Sequence, residues 1–565
     1  MEKFSEIQYV RPDFPKLKKE LLRLTKELKK APDYETFREK FQETEQVVID
    51  QFDAETIVEI RNSINKADKF YDEEVKYLNK AGATLQMPML GFYKTLVKSP
   101  FRKQFDEEFG DFLTKKIEHT LKLISVFTLA DGIKESELVN QYSKDAASCV
   151  TDFRGESCNF YGLLKHMEST DRTERKEAFE AWAKLYESVS AKLDATYDRL
   201  VRLRAGMAKK LGFKNYIDYI YIKRERFDYK PEDIAAFRNA VAKIIVPFCS
   251  ELFEKQRQRI GVEKLHFYDE KLVFPEGNAL PIGTKDELVE KARAMYHELS
   301  PETGEYFDFM CEHELFDLET RLNKHLGGFC TFLPKGKAPF IFSNFNGTSA
   351  DVDVLTHEAG HAFECYTASR HQKTMLSVSS TSEINEIHSM SMETFAYPWM
   401  ESFFGDKADK YRFAHLCDTI TSIPYMTAVD EFQHRVFENP KAGPMERRKF
   451  WQEIEKIYLP WRDYDGNAFL EGGGFWMQKQ HIFMHPFYYV DYALAQICAH
   501  QLFLRGRKDR GLAWHDYYEL CKMGGSRGYF DLLKSASLKS PFEEETIREV
   551  IDGIREVISE FEKKA

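Results

Sequence analysis

The sequence predicts a predominantly all-α fold with one small β-sheet, and three observations carry that expectation. Apolar residues recur at spacings of three and four along most of the 565-residue chain, the pattern of amphipathic helices. Pro, Gly and Asp punctuate these stretches at helix-length intervals. One segment alone, residues 327–346, breaks the pattern, with two apolar runs around a Pro-Lys-Gly-Lys turn that suggests a β-hairpin.

In chain order, Leu17, Leu21, Leu24 and Leu28 form the first apolar stripe. Segments 34–50, 54–80, 104–128, 170–211, 232–260, 284–299, 446–458 and 543–562 read as further helices. In the hairpin, the second run, Phe340 to Phe345, leads through Asn346-Gly347 into another helix. An extended strand here offers its backbone either to a small structural sheet or to a peptide ligand. There is no tandem repeat and no Pro- or Ser-rich linker. The polar stretch near 165–175 is the place for a boundary, dividing an N-terminal helical region, 1–170, from a region 171–565.

Hydrophobic residues make up 43% and charged residues 31%, enough for a large core under a wet surface. With 81 basic against 92 acidic residues, net −11, and no long Lys/Arg run, the chain is ill suited to a phosphate backbone. No apolar stretch approaches the roughly 20 residues of a membrane-spanning helix, and the start has no signal-peptide pattern. The expectation is a soluble cytoplasmic protein with no nucleic-acid or membrane partner. Its nine cysteines are scattered, with no Cys-x-x-Cys pair, and read as reduced, mostly buried hydrophobes. Cys365 is the only one expected near the site below.

That site begins at His357-Glu358-Ala-Gly-His361. On a helix, positions i and i+4 share a face, so two imidazoles converge on one Zn²⁺. Glu358 is placed to hold a water and take its proton. The flanking Val352, Val354, Leu355, Ala359, Ala362 and Phe363 bury the helix, and ionisable groups there call for pairing or ligation. Glu364, on the same helix, cannot complete a tetrahedral shell with its two neighbours. His313-Glu314 begins the same pattern but has Asp317 where the second His belongs.

The remaining ligand must come from a second helix, and the segment from Ser380 through Glu383, Glu386, His388 and Glu393 supplies one. Ser380 with Glu383 fits a capping box. The three Glu share a face, where one serves as a ligand and another as acceptor of a ligand's N–H. Further on, Gly472-Gly473-Gly474 suggests a mobile loop, followed by a stretch dense in His and Tyr from His481 to Tyr492. Such side chains either donate hydrogen bonds to an oxyanion or pack as an aromatic core.

The segments HEAGHAFE and EINEIHSMSMETF resemble the zinc oligopeptidases of the thimet oligopeptidase and oligoendopeptidase F type, including bacterial Pz-peptidases. The resemblance runs from about Phe340 to the GGSRGYFDLLKSA segment. It implies an elongated gluzincin-type helical body with a deep substrate channel, the small sheet beside its zinc. It implies one Zn²⁺ per chain held by His357, His361 and Glu386, with Glu358 as general base and Glu393 as the acceptor from a ligand's ring. It further implies a Tyr and a His that stabilise the transition state. The Tyr-x-x-x-Gln pattern favours Tyr492 over Tyr489, and both His481 and His485 stand for the His. Position along the second helix agrees on the metal: Glu383 is expected near an exposed, capped end, and Glu393 lies two turns deeper.

The function implied is zinc-dependent endopeptidase action on short unstructured peptides. The alternatives are a zinc exopeptidase of the carboxypeptidase or dipeptidyl-carboxypeptidase kind, which shares HExxH-plus-Glu, and a non-catalytic helical scaffold. The Gly-x-Met-Glu-Asn signature of zinc aminopeptidases is absent.

Overall fold

The computed structural model describes every residue except Leu326. Helix accounts for 71% of the chain, and the described residues form two small sheets. The residues group into two compact units, each assembled from separate stretches: Met1–Lys122, Leu280–Ala408 and Cys498–Lys539 in one, Leu123–Ala279, Asp409–Ile497 and Ser540–Ala565 in the other.

The first unit opens with Phe14–Lys29, whose stripe buries Leu21, Leu24 and Leu28 and leaves Leu17 half-buried. Asp13 caps it and Pro15 sits in its first turn, where a missing N–H is harmless. Tyr34–Ile64 follows as one uninterrupted helix, so the break expected after residue 50 is not there. Asp53, between the two expected segments, accepts the Lys335 N–H at 3.1 Å with its carboxylate, a tertiary contact made from mid-helix. The real break falls at Asn65–Asp68, where Asp68 caps Lys69–Gly82. The segment expected over 104–128 is two helices, Arg102–Phe109 and Asp111–Leu123, separated by Gly110 at φ +89°. Phe37, Phe41, Phe92, Phe105 and Phe109 pack into the core of this region.

The hairpin is present. Phe329–Leu333 pairs antiparallel with Ala338–Phe345, from Phe329 opposite Phe342 to Leu333 opposite Ala338. Lys337 turns the chain at φ +48°. A third strand, Phe316–Glu319, lies parallel to Ala338–Phe345 on its other side. The sequence reading misses it because four residues after a helix carry too little alternation to register. Phe340–Phe345 therefore belongs to a central strand with both edges taken, and the outer edges of the sheet belong to Phe316–Glu319 and Phe329–Leu333. His313-Glu314 follows the helix Pro301–Glu312, with Glu314 paired to Lys3 at 2.8 Å.

From the central strand the chain turns at Gly347, φ +84°, into Ala350–His371. Asp351 fixes this turn, accepting the N–H groups of Asn346 at 2.9 Å and Gly347 at 2.8 Å. Ser382–Phe395 and Arg510–Met523 pack on the same helix.

In the second unit the long helix Arg172–Lys210 carries Trp182 and Tyr197 into an aromatic core with Phe432, Trp451, Phe475 and Trp476. Leu470–Gly474 is a wide helical turn rather than a loop. Gly473 has φ +86°, and a Cβ there would lie 2.2 Å from the Arg448 carbonyl oxygen, so this glycine serves close packing. Among the described residues no helix is long and apolar enough to cross a membrane.

Asp351→Ala should lower stability by about 1–3 kcal/mol, since it removes a buried carboxylate that accepts two backbone N–H groups of the exposed turn. A thermal melt reads this; an unchanged Tm would show that water replaces the carboxylate.

Candidate metal centre

His357 and His361 lie one turn apart on Ala350–His371, their ring centroids 5.0 Å apart. Glu386, on Ser382–Phe395, points one carboxylate oxygen between them, 3.5 Å from His357 Nε2 and 3.4 Å from His361 Nε2. One ligand atom from each of the three lies within 4.8 Å of the others. On the far side of the first ring, His357 Nδ1 meets Glu393 Oε1 at 2.5 Å. A carboxylate there fixes the tautomer and leaves Nε2 facing inward.

Glycine makes this geometry possible. A Cβ on Gly360 would sit 2.6 Å from Ser389 Cα and 2.7 Å from the His388 carbonyl oxygen, so only a residue without one lets the second helix approach this closely. The Tyr517 hydroxyl donates to that same His388 carbonyl at 3.0 Å. The His388 ring is fully buried, its pKa pushed down to about 3 by burial and the His361 charge. It therefore stays neutral.

Electrostatics favour a cation. Burial alone would raise the Glu386 carboxyl, yet His361 and His357 hold it well below the usual carboxylate range. Burial likewise opposes a charged His357, and Glu386 and Glu393 overcome it, lifting that ring well above its ordinary pKa. Imidazoles that ligate a metal are neutral, which leaves the two acids to be balanced by a divalent ion. Two ring nitrogens and one carboxylate oxygen, with a fourth position open, are the donor set of a catalytic zinc site.

Glu358 is half-buried beside the sheet, its Oε1 3.8 Å from where a Cβ on Gly328 would stand. No described residue hydrogen-bonds its carboxylate, leaving both oxygens open to water or substrate. Cys330, on the edge strand, also senses the Glu358 charge, and burial pushes its thiol well up. Cys365 is thus not the only cysteine near this site. Glu364 is 4% exposed, and burial raises its carboxyl far above normal. The groups that sense its charge include Tyr517 and Cys521 of Arg510–Met523.

The start of the second helix departs from expectation. Its N-cap is Thr381, without a side-chain cap bond, and Ser380 lies outside the helix. Glu383 is 0% exposed, not near the surface, and its charge is felt at Cys498. The segment before the helix is also packed from far along the chain: Gly525 donates to the Ser377 carbonyl at 2.9 Å, and a Cβ on it would lie 2.1 Å from the Ser379 oxygen.

The other candidates lie in the second unit. His481 stacks on Tyr488 with centroids 5.9 Å apart and touches Tyr489 at 4.9 Å and Tyr492 at 6.2 Å. These four are half-buried, whereas His485 is exposed. Arg224 and Arg226, on or just after a distant helix, hold the connecting loop by donating to the Pro486 carbonyl at 2.7 Å and the Phe487 carbonyl at 2.5 Å. Arg226 also pairs with buried Asp491. These arginines carried no sequence signal, whereas a lone glycine inside a helix, such as Gly360, does mark close packing.

Residues 165–551 match peptidase family M3, and residues 4–124 match the peptidase M3 N-terminal domain. The chain belongs to peptidase family M3. Among solved structures it resembles PZ peptidase A with an inhibitor, at 44% identity over 100% of both chains and a TM-score of 0.96. An oligoendopeptidase F structure matches at 43% identity, 99% of both chains and a TM-score of 0.95. One from Bacillus anthracis matches at 39% identity, over 100% of this chain and 99% of that one, with a TM-score of 0.91. A search of curated proteins finds no match. This M3 membership makes the protein a peptidase, of a metallo-oligopeptidase family.

Metal content after dialysis against a weak chelator should separate the three acids. Glu386→Ala should lose stoichiometric metal, Glu393→Ala should bind it roughly 10–100-fold more weakly, and Glu383→Ala should keep it while losing stability. Gly360→Ala should both lower Tm, by an overpacking cost of about 1–3 kcal/mol, and weaken metal retention. Full metal retention in Gly360→Ala would show that the helix spacing is not limiting.

Proposed function

We propose that this M3 peptidase is a zinc-dependent oligoendopeptidase that cuts internal bonds of short, unstructured peptides. The observation that carries the reading is the convergence of His357, His361 and Glu386 beside an unengaged carboxylate, Glu358. When bound there, Zn²⁺ supplies Lewis acidity toward a carbonyl and makes water more acidic. His357 and His361 would hold the ion from one helix face and Glu386 from the facing helix, while Glu393 accepts from the proton-bearing His357 Nδ1. Glu358 takes the proton of the attacking water and returns it to the leaving amine.

The free edge of Phe329–Leu333, preceded by Gly328 next to Glu358, offers a place for an extended substrate to add as a further strand. The roles of Tyr492 as oxyanion donor, and of Tyr489, His481 and His485 around it, rest on the family resemblance. So does the preference for short peptides, while a cytoplasmic setting rests on the scattered cysteines and the sequence pattern; the names of the similar structures agree with oligopeptide cleavage.

Glu358→Gln should retain metal and lose hydrolysis on the order of 10³-fold or more, because the amide cannot accept the proton. A variant keeping a tenth of the wild-type rate would place the base elsewhere. Peptides blocked at both ends should be cut internally; failure to cut them, with release of terminal residues or dipeptides from free peptides, would establish the exopeptidase. Tyr492→Phe should lower kcat by about 10²–10³ with little change in KM, and the same loss in Tyr489→Phe instead would reassign the donor.

A further inference from the structure

A second group of metal-ligand side chains lies in the second unit, in a stretch largely outside both family matches, which leave residues 125–164 uncovered. Thr151–Phe153 and Glu156–Cys158 form a tight hairpin, turned by Arg154 at φ +55° and Gly155 at φ +85°. Alternation along the second strand sets Glu156 and Cys158 on one face. The short helix Phe160–His166 follows at once, capped by Asn159, which accepts the Gly162 N–H at 3.0 Å. A Cβ on Gly162 would lie 3.4 Å from Cys158 Sγ, so the thiol rests over the first turn of this helix. His166 is one turn further along the same face.

The result is a convergence of three different donors. Cys158 Sγ, a carboxylate oxygen of Glu156 and a ring nitrogen of His166 all lie within 4.8 Å of one another. His166 Nε2 is 3.8 Å from Glu156 Oε2. Cys158 is 4% exposed, and no described group hydrogen-bonds its sulfur. His166 is also oriented from behind. Its Nδ1 meets Glu174 Oε1 at 2.6 Å, and Glu174 is itself held by the Ser169 hydroxyl at 2.9 Å and by Arg154 at 3.3 Å. A carboxylate only accepts, so Nδ1 carries the proton and Nε2 presents its lone pair toward Cys158 and Glu156. This carboxylate–histidine pairing behind an inward-facing nitrogen is the arrangement that supports metal-bound histidines, and it repeats what Glu393 does for His357.

We propose that Glu156, Cys158 and His166 form a second, thiolate-containing site for a zinc-like divalent cation, with Glu174 as positioning residue. Ligand atoms around tetrahedral zinc lie about 3.3–3.8 Å apart, so side-chain rotation of about an ångström closes the set. Binding releases the thiol proton to solvent and leaves the fourth position to water. Three ligands drawn from the strand and the helix pin the hairpin to Phe160–His166, a structural role for which borderline-soft Zn²⁺ suits a Cys/His/Glu donor set better than Mg²⁺ or Ca²⁺.

Cobalt substitution of the full-length protein tests this, since only a site containing sulfur gives a thiolate-to-Co²⁺ charge-transfer band, and the His357/His361/Glu386 site has none. Wild type should take up two ions per chain and show the band. Cys158→Ser and His166→Asn should each take up one ion, lose the band and keep peptidase activity. Glu386→Ala should keep the band, which separates failure of this site from failure of the catalytic one. Glu174→Gln should need roughly tenfold more cobalt to reach the same band. One ion per chain in wild type with no thiolate band, or a band that survives Cys158→Ser, would overturn the proposal.

Discussion

The close approach of Ala350–His371 and Ser382–Phe395 at Gly360 is the constraint on which the metal centre depends. Two histidines one turn apart define a face but not a cage. The third donor arrives only because the second helix runs against the Gly360 backbone, with Ser389 Cα where a Cβ would otherwise stand. Tyr517 then braces the opposite side of that contact through the His388 carbonyl. Metal geometry tolerates errors of a few tenths of an ångström, so one methyl group at this crossing is enough to matter.

Charge is arranged around that crossing in a graded way. Glu386 and Glu393 sit against histidines and are held ionised or hydrogen-bonded to them, while burial of Glu364, on the same helix as His361, favours its protonated form. Glu358 differs from all three in being half-buried with its carboxylate unengaged. Acids of one kind thus acquire separate tasks from their surroundings: ligand, orienting acceptor, neutral filler and proton carrier. The sheet adds the remaining boundary, since its central strand feeds directly into the metal-binding helix through the turn that Asp351 secures.

Helical periodicity, the hairpin at 329–345 and the HExxH helix are local properties, set by side-chain spacing within a few turns, and the sequence alone was sufficient to determine them. The family was legible for the same reason, since its motifs are short and continuous. What depends on distant segments was not. The break expected between residues 50 and 54 is absent from Tyr34–Ile64, where Asp53 reaches Lys335 instead; Glu383, expected near an exposed helix end, is buried, with Cys498 among the groups beside it. The third strand, the Arg224 and Arg226 anchors of the 485–488 loop, and the nearness of Cys330 to Glu358 follow equally from contacts between residues far apart in the chain. Periodicity reports which face of an element is apolar, but only tertiary structure decides what covers that face, and it is the covering group that sets burial, charge state and role.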